Sequence, residues 1–504
     1  MRHNTPIGPT ESQREHAQAD MRCDSRVQDA CKVFLNLEPA HLLRRISRFY
    51  EVREAESRLR QIGGQVYLVG GAVFDPDPKD FDLEVFGLDW EEIKDCFQDC
   101  SCKEVGAAFG ILAVNINGVD IDINIPRTDN RVGKGHKGFH AALDPTMNVK
   151  DASRRRDFTI NTLAMELATG EIVDHWGGLA DLEAGILRAT DPELFVQDPL
   201  RAMRAMQLLA RKAKSVDPAT MDLIRSMTDE FNDLSPERVH EEWRKLLLKA
   251  EKPSVGLNFL RESGWLKHFP ELEDLIGCGQ HPEWHPEGDV WKHTLLVVDQ
   301  AAWVRDQGVI PEEWLEPFMF GTLLHDIGKP ETTVTPEMVA DGRFPEERLW
   351  TAYEHSQAGV PLGESFMCRM TNNKKLIQRT CAIIEEHMQP WNLFQGKAGL
   401  SAYKRLHNRL RLDILGWMCR CDGCGKGDQL ISDPDLKHGP SEACWEWFDK
   451  IGPEPVKPIL MGRHLIKAGL APGPEFSRRL AVAYEQQLDG VDDIEALLET
   501  ALVA

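Results

Sequence analysis

The chain has 504 residues, too many for one hydrophobic core, so about three or four domains are expected. The net charge of −22 argues against a protein that coats nucleic acid with its whole surface, although it is compatible with a local basic groove. The sequence contains neither a signal peptide nor an apolar run of roughly 18 residues, the length of a membrane span. The 12 cysteines therefore predict reduced thiols in a cytoplasmic protein without membrane contact.

The predicted elements begin with a polar N-terminal extension, residues 1–60, which ends in a helix. Residues 61–185 form a predicted head whose strands lie in QVYLVGG, FDLEVFG, GILAVNI and GVDIDINIP. A polar, glycine-rich stretch at 131–152 predicts a mobile loop, and from about residue 181 onward all segments predict helices. The expected later domains are a helical neck at 186–276, a histidine-rich helical domain at 277–430 and a helical tail at 431–504.

Acidic residues alternate with apolar residues in two of the predicted strands. Strand side chains alternate between faces, so Asp80 and Asp82 share one face, as do Asp120 and Asp122. If these strands are neighbours, their carboxylates converge into a site for a divalent cation with oxygen ligands, most naturally Mg²⁺. The alternative is a half-exposed sheet whose acidic side chains face water. The paired glycines at 70–71 favour the cation, because they allow the backbone to approach phosphates.

A series of segments links this head to the helices that follow it. The Gly-Gly and Asp-x-Asp pairs precede RRRDFTINTLAMEL, VDHWGGLADLEAGILRA, QDPLRAMRAMQLLAR and SPERVHEEWRKLLL. In this order the segments resemble the bacterial tRNA nucleotidyltransferases, which include CCA-adding enzymes and bacterial poly(A) polymerases. The resemblance covers residues 61–490 and implies an α+β multidomain fold. A small mixed β-sheet, a polymerase-beta-like nucleotidyltransferase head, would precede an all-helical RNA-binding body.

The resemblance also implies roles for individual residues. Asp80 and Asp82 would hold Mg²⁺, with Asp122 as the third catalytic carboxylate and Asp120 as its alternative. Arg156, Asp157 and Asn161 would hold the triphosphate and the ribose, next to Gly70 and Gly71. Asp198 and Arg201, one helical turn apart in QDPLR, would read the base edge of CTP or ATP. Taken alone, Asp198 could instead cap a helix, and Arg154 to Arg156 could be a solvated charge run.

Two positions depart from the family's usual pattern. The family reads Gly-Gly-x-Val-Arg-Asp, whereas this chain has Phe74 at the arginine position and a shorter segment before Asp80. One phosphate-binding cation is therefore missing, so nearby arginines compensate for it or nucleotidyl transfer is weakened. Gln197 replaces the glutamate before Asp198, which matters less because Asp198 and Arg201 are retained.

Histidine and aspartate residues recur through the predicted domain at 277–430. Their order, His…His-Asp…His…His…Asp, resembles that of the HD-superfamily metal phosphohydrolases, and such a domain is attached to some bacterial CCA-adding enzymes. The resemblance implies a site for Mn, Fe, Co or Ni, with one or two ions. The expected ligands are His293, His325, Asp326, His355, His387 and Asp422.

Two neighbouring features are open to more than one interpretation. Lys329 could contact a substrate phosphate or be a solvated charge at a helix end. Cys419, Cys421 and Cys424 suggest a zinc knuckle, but a fourth sulfur, that of Cys444, comes only 20 residues later, so reduced packing cysteines are expected.

The predicted activity is the transfer of CMP and AMP from CTP and ATP to the 3′ end of tRNA, together with phosphohydrolase activity of the HD domain. The predicted partners are the tRNA acceptor end, to which the basic segment RMTNNKKLIQR at 369–379 could contribute, and both nucleotides. One alternative is an enzyme that adds only A. Another is a phosphohydrolase whose head has degenerated into an RNA-binding module. The oligomeric state is not readable from the sequence.

Overall fold

The computed structural model describes residues 49–74, 78, 80–104, 110–131, 139–426, 431–433 and 436–504. The chain divides into two compact units. The first consists of Met1–Ala205 and Lys212–Ser235, and the second of Met206–Arg211 and Pro236–Ala504. The predicted extension at 1–60 lies outside the described residues up to position 48. The predicted domain boundaries stay predictions.

The first unit contains a mixed seven-stranded sheet in the order β3-β4-β5-β2-β1-β8-β9. Its β2 and β5 pair in parallel, and its other neighbours pair antiparallel. A separate hairpin pairs β6 with β7. The strands are β1 Gln65–Val69, β2 Phe81–Phe86, β3 Ser101–Glu104, β4 Ile111–Ile116, β5 Val119–Asn124, β6 Arg127–Arg131, β7 Phe139–Leu143, β8 Ala164–Glu166 and β9 Ile172–Val173.

Alternation along β2 and β5 separates the core of the head from its polar face. Phe81, Leu83, Ile121 and Ile123 are buried in one hydrophobic cluster. Their sequence neighbours Asp82 and Asp122 project to the opposite face, as the strand period of two requires. The sheet therefore presents acidic residues on the side away from this core.

Two sequence predictions about this region were wrong. Part of the supposed loop at 131–152 is ordered, because β7 pairs with β6 and a helix begins after Asn148, whose side chain caps the backbone N–H of Asp151. Residues 132–138 of that stretch lie outside the described part. Beyond residue 181, helices are joined by the parallel strands β10 Ile186–Leu187 and β11 Ser215–Val216, which are too short for periodicity to reveal.

Helices make up most of the remaining structure. Around the sheet and after it the helices are α1 Tyr50–Gln61, α2 Trp90–Cys96, α3 Val149–Arg154, α4 Gly178–Ala184, α5 Pro192–Phe195, α6 Leu200–Lys212 and α7 Pro218–Ser226. The helices that follow are α8 Pro236–Lys249, α9 Pro253–Ser263, α10 Pro270–Glu273, α11 Val290–Asp306, α12 Glu312–Leu324, α13 Lys329–Thr332, α14 Pro336–Ala340, α15 His355–Cys368, α16 Lys374–Glu386, α17 Gln389–Gln395, α18 Leu400–Arg409, α19 Leu412–Cys424, α20 Gly439–Ile451, α21 Gly462–Lys467, α22 Glu475–Leu488 and α23 Ile494–Val503. Among the described residues, none of these helices combines the length and the hydropathy needed to cross a membrane.

The C-terminal helices of the second unit have a small core of their own. Leu460, Leu465, Ala483, Leu497 and Ala501 form one buried cluster. This cluster holds α21, α22 and α23 together, in the region where the sequence predicts a helical tail.

Candidate functional site

The acidic face of the head brings together carboxylates from two strands. Asp82 and Asp122 are directly opposed in the parallel register of β2 and β5. Asp80 precedes β2 by one residue and is exposed. Asp120, the alternative third carboxylate, accepts a hydrogen bond from Asn115 Nδ2 at 2.6 Å. The register therefore favours Asp122 over Asp120 as the neighbour of Asp82.

Burial and neighbouring carboxylates raise the pKa of both Asp82 and Asp122. Burial raises the pKa of Asp82, Arg156 opposes this rise, and Asp122 and Asp80 add to it. Partial burial, Asp120 and Asp80 raise the pKa of Asp122. Within the described residues, sets of three ligand atoms closer than 4.8 Å occur only in the second unit, so the head carboxylates are neighbours without forming such a set. Their oxygen donors are the type that Mg²⁺ prefers.

A glycine turn follows β1 beside these carboxylates. Gly70 has a φ of 73°, and a β-carbon at this position would lie 3.1 Å from Asp82 Oδ2. A β-carbon on Gly71 would meet Lys212 Nζ at 3.8 Å. The turn therefore brings bare backbone between a carboxylate and an ammonium group, which suits the approach of a phosphate chain.

The arginine-rich segment before the short 3₁₀ turn Thr159–Asn161 places Arg156 on the acidic face of the sheet. Arg156 contacts the buried Glu84, with Nη2 3.3 Å from Oε2. Asp157 is buried and accepts hydrogen bonds from Arg204 Nε at 2.5 Å and Asn161 Nδ2 at 2.9 Å. Burial opposes ionisation of Asp157, but Arg204 and Asn161 outweigh burial and lower its pKa. Asp157 thus orients two polar side chains, a role that sequence reasoning did not assign to it.

The predicted base-reading pair lies at the start of α6. Asp198 Oδ1 accepts a hydrogen bond from the backbone N–H of Leu200. This bond agrees with the alternative prediction that Asp198 caps a helix. Arg201 donates to the carbonyl oxygens of Leu194 at 3.0 Å and Arg155 at 2.6 Å. These bonds fix the plane of the guanidinium group, because both of its terminal nitrogens are engaged.

The predicted metal ligands of the second unit converge from five helical segments. Each of the six is at most 7% exposed. The ligands lie on α11, at the end of α12, at the start of α15, after α16 and on α19. In that order they are His293, the pair His325 and Asp326, His355, His387 and Asp422.

Asp326 lies between two groups of these ligands. Its Oδ2 is 3.2 Å from His325 Nε2 and 3.7 Å from His293 Nε2, which in turn is 3.0 Å from Asp422 Oδ1. Its Oδ1 is 3.3 Å from His355 Nε2 and 3.9 Å from His387 Nε2. Each group offers imidazole nitrogen and carboxylate oxygen, the donors that suit divalent transition metals.

The second nitrogen of each imidazole makes a hydrogen bond that fixes its tautomer. His325, His355 and His387 donate from Nδ1 to the carbonyl oxygens of Thr322, Ala352 and Ile384 at 2.7 to 2.8 Å. Their Nε2 atoms therefore carry lone pairs that point toward Asp326. Among the residues that the structure describes, His325 Nε2 is buried and has no hydrogen-bond partner.

The facing lone pairs of His355 and His387 are the clearest sign of a cation site. Their Nε2 atoms are 3.0 Å apart. Burial, together with His355 and His325, lowers the pKa of His387 to about 3, and burial lowers the pKa of His355. Both shifts favour neutral rings, and a cation between the two nitrogens would relieve the repulsion of their lone pairs.

Glu287 is a carboxylate beside the histidine cluster that sequence reasoning missed. Its Oε1 accepts hydrogen bonds from His285 Nδ1 and His293 Nδ1, both at 2.8 Å. Burial opposes ionisation of Glu287, but the two histidines outweigh it and lower its pKa to about 2. Glu287 therefore orients His293 as a carboxylate partner orients a metal-binding imidazole. Its place in the histidine-rich segment HPEWHPEGD was the available signal.

A pocket of about 610 Å³ opens onto Asp326, His355 and Asp422. Its walls combine lysines with aromatic residues, among them the largely exposed Trp284 and Tyr353. Lys329 is not a solvated helix-end charge, because its Nζ lies 2.7 Å from Asp326 Oδ2 and donates to Gln280 at 2.8 Å.

The four cysteines near Asp422 are buried thiols. Burial raises the pKa of each, to about 11 for Cys424 and about 12 for Cys444, and well above the usual range for Cys419 and Cys421. Raised values keep the thiols neutral at physiological pH, as expected for packing cysteines.

The basic segment at 369–379 is partly used inside the second unit. Arg369 pairs with Glu271 at 2.7 Å, and Arg379 stacks on Trp314 with 4.1 Å to the ring centroid. Lys374 and Lys375 are exposed. A role of this segment in RNA binding stays a prediction.

The mixed sheet with its opposed carboxylates defines a polymerase-beta-like nucleotidyltransferase head followed by a helical body. Residues 66–188 match the family model of the poly A polymerase head domain. Residues 215–276 match the model described as the probable RNA and SrmB-binding site of polymerase A.

Relatives can be aligned with most of this chain. The multifunctional CCA protein of Xanthomonas campestris pv. campestris is 31% identical over 436 residues, 83% of this chain and 97% of that protein. The protein of the same description from Vibrio parahaemolyticus is 33% identical over 64% of this chain and 75% of its own length. The chain belongs to the bacterial tRNA nucleotidyltransferase and poly(A) polymerase family.

Solved structures of CCA-adding enzymes have the same fold. A Bacillus stearothermophilus enzyme in complex with CTP has a TM-score of 0.60 at 18% identity, covering 90% of this chain and 98% of that chain. A Thermotoga maritima enzyme complexed with tRNA has a TM-score of 0.52 at 18% identity, covering 93% and 98%. The predicted fold class and family are confirmed.

Proposed function

We propose that this protein adds CMP and AMP, taken from CTP and ATP, to the 3′ end of tRNA. The observation that carries the proposal is the opposition of Asp82 and Asp122 beside the glycine turn at 70–71. The relatives described as multifunctional CCA proteins and the solved complexes of CCA-adding enzymes with CTP, ATP and tRNA support it. We expect the helical body to bind the RNA through its shape and phosphates.

In the reaction, the 3′-hydroxyl oxygen of the RNA bonds to the α-phosphorus of the nucleotide. The bond between the α-phosphorus and the bridging oxygen breaks, pyrophosphate leaves, and the hydroxyl proton passes to solvent. Asp80, Asp82 and Asp122 would hold Mg²⁺, which supplies electrostatic stabilisation of both the attacking and the leaving oxygen. Arg156 would neutralise phosphate charge, while Asp198 and Arg201 would select the base by hydrogen bonding to its edge.

The test is incubation of the purified chain with tRNA lacking CCA and with each nucleotide triphosphate singly and in combination. Addition of C followed by A supports CCA synthesis, and addition of A alone supports the adenylyltransferase alternative. Asp80→Ala should abolish incorporation. A wild-type chain that incorporates no nucleotide, under conditions in which a CCA-adding relative is active, would leave only the phosphohydrolase alternative.

A second activity, hydrolysis of phosphate esters by an HD-type metal centre, is supported by the histidine cluster. We infer two divalent transition metal ions, one near His293, His325 and Asp422 and one near His355 and His387, with Asp326 between them. The buried lone pairs fit such ions, which supply an activated water for attack on phosphorus. The exposed aromatic rings at the pocket mouth suit the base of a nucleotide, so phosphomonoesters and 2′,3′-cyclic phosphates at RNA 3′ ends are the expected substrates.

This second activity is tested with 2′,3′-cyclic AMP and simple phosphomonoesters after reconstitution with Mn, Ni, Co or Fe. His355→Ala should abolish hydrolysis and leave CCA addition intact, because the two sites lie in different units. Hydrolysis that survives this substitution would contradict the assignment of the site.

A further inference from the structure

The phosphate-binding arginine expected after the glycine turn is absent, since Phe74 stands at its position. A lysine from a distant part of the chain reaches the same place. Lys212, the last residue of α6, lies with its Nζ 4.8 Å from the centroid of the Phe74 ring. We propose that Lys212 binds the triphosphate of the incoming nucleotide and replaces that arginine, an inference that rests on the proposed function of the head.

The position of the ammonium group relative to the turn carries this inference. Apart from the glycine itself and the residues next to it in the chain, Lys212 Nζ is the one described heavy atom within 4 Å of a β-carbon built on Gly71, at 3.8 Å. The equivalent position on Gly70 meets Asp82 Oδ2 at 3.1 Å. The turn thus has a candidate metal-binding carboxylate beside one glycine and a cation beside the next. A triphosphate needs both, because its charge is divided between a metal ion and side-chain cations.

Phe74 explains why the lysine stays at this position. The ring is only 6% exposed and is held in the hydrophobic core of the head, so it forms a fixed platform. An ammonium group over an aromatic face is attracted by the ring quadrupole and loses part of its hydration. The cation is therefore placed before the nucleotide arrives, which reduces the ordering cost of binding. Phe74 thus removes the guanidinium group of the usual arginine but positions the ammonium group of Lys212 at the turn.

The experiment measures equilibrium binding of CTP, ATP and CMP to the full chain with Mg²⁺, alongside steady-state KM and kcat for nucleotide addition. In Lys212→Met, affinity for CTP and ATP should fall about ten-fold, the loss of one charge-assisted contact. Affinity for CMP should stay within about two-fold, because CMP lacks the β- and γ-phosphates. Lys214→Met, at an exposed lysine two residues further on, is the matched control and should bind all three ligands like wild type.

A conservative variant separates a phosphate contact from a role in folding. Lys212→Arg should keep triphosphate affinity, because it returns a cation to the end of α6. Equal losses for CMP and CTP, or unchanged CTP binding in Lys212→Met, would overturn the inference. If Lys212→Met loses CTP selectively while wild type joins no nucleotide to RNA, the proposed function fails and the assignment of Lys212 as a triphosphate ligand stands.

Discussion

Asp82 and Asp122 face each other across the only parallel strand pair of the described seven-stranded sheet. Parallel pairing places their side chains on the same face at the same level. Burial raises the pKa of both, Asp122 and Asp80 add to the rise at Asp82, and Asp120 and Asp80 add to it at Asp122. Asp120, two residues earlier, is engaged by Asn115 instead. The structure thereby distinguishes two carboxylates that the sequence pattern left equivalent.

Substitution of these aspartates should therefore have unequal effects. Asp122→Asn should lower kcat for nucleotide addition by about 10²- to 10³-fold, because it removes a charge that stabilises the transition state through the bound cation. Asp120→Asn should lower kcat by less than about three-fold, since an amide can still contact Asn115. Quench-flow or steady-state incorporation assays check both, and a larger loss in Asp120→Asn would reverse the assignment.

The sequence predicted the components of the head better than their pairing. Alternation alone identified the apolar residues of β2 and β5 that enter the core, because a strand repeats every two residues whatever its neighbour. It did not predict that Glu84, on the acidic face, is buried as well. The contact between Lys212 and Phe74 could not be read in this way, since it depends on where α6 returns to the sheet. The resemblance to a family supplied the order of the motifs but not this replacement.

At the histidine site, too, the sequence predicted the residues but not their arrangement in space. Ligand order identified all six residues that the structure brings together, yet whether one or two ions are expected depends on which oxygen of Asp326 each imidazole faces. Glu287 was missed because a carboxylate behind a ligand has no spacing signature of its own. The mobile loop expected at 131–152 was wrong for residues 139–143 and 149–152, because strand pairing and a capped helix order these parts.

Base selection should depend on the geometry of Arg201. Its two terminal nitrogens bind the carbonyl oxygens of Leu194 and Arg155, and a lysine cannot reproduce this fork. Arg201→Lys should reduce the preference for CTP and ATP over UTP and GTP by about ten-fold or more, measured as ratios of kcat/KM. Gln197→Glu, which restores the family's usual residue, should leave these ratios unchanged and serves as the control.

The number of metal ions bound should depend on Asp326 but not on Asp413, an aspartate of α19 outside the ligand groups. We expect about two transition metal ions per wild-type chain and fewer than about one in Asp326→Asn, because this carboxylate contributes to both ligand groups. Asp413→Asn, at an aspartate paired with Arg411 on α19, should keep the wild-type content. Elemental analysis after removal of free metal provides the measurement, and an unaltered content in Asp326→Asn would contradict a contribution of this carboxylate to both ligand groups.

Orientation of His293 by Glu287 should be measurable as metal affinity. Glu287→Gln removes a charged acceptor shared by two imidazoles, so affinity should fall about 10- to 100-fold, as for other carboxylates behind metal-binding histidines. Competition with a chelator of known affinity provides the measurement. Glu283→Gln, at an exposed glutamate in the same segment, is the matched control. Equal affinities of the two variants would assign Glu287 to folding alone.

Asp299 should make the second unit less stable as pH rises. Burial raises the pKa of this carboxyl group to about 6, although Ser254 donates to it from its backbone N–H at 3.0 Å and its hydroxyl at 2.7 Å. The pKa of this group is about 3.9 in the unfolded state, so the folded state holds the proton more tightly. The resulting contribution to the free energy of unfolding is fully present below pH 4 and decreases until the pH passes about 6. The total decrease is at most about 3 kcal/mol. Asp299→Asn cannot titrate, so urea unfolding followed by tryptophan fluorescence should show the variant gaining stability relative to wild type between pH 4 and 7. A relative loss over that range would mean that the carboxylate is stabilised by its surroundings and that the direction of the shift is wrong.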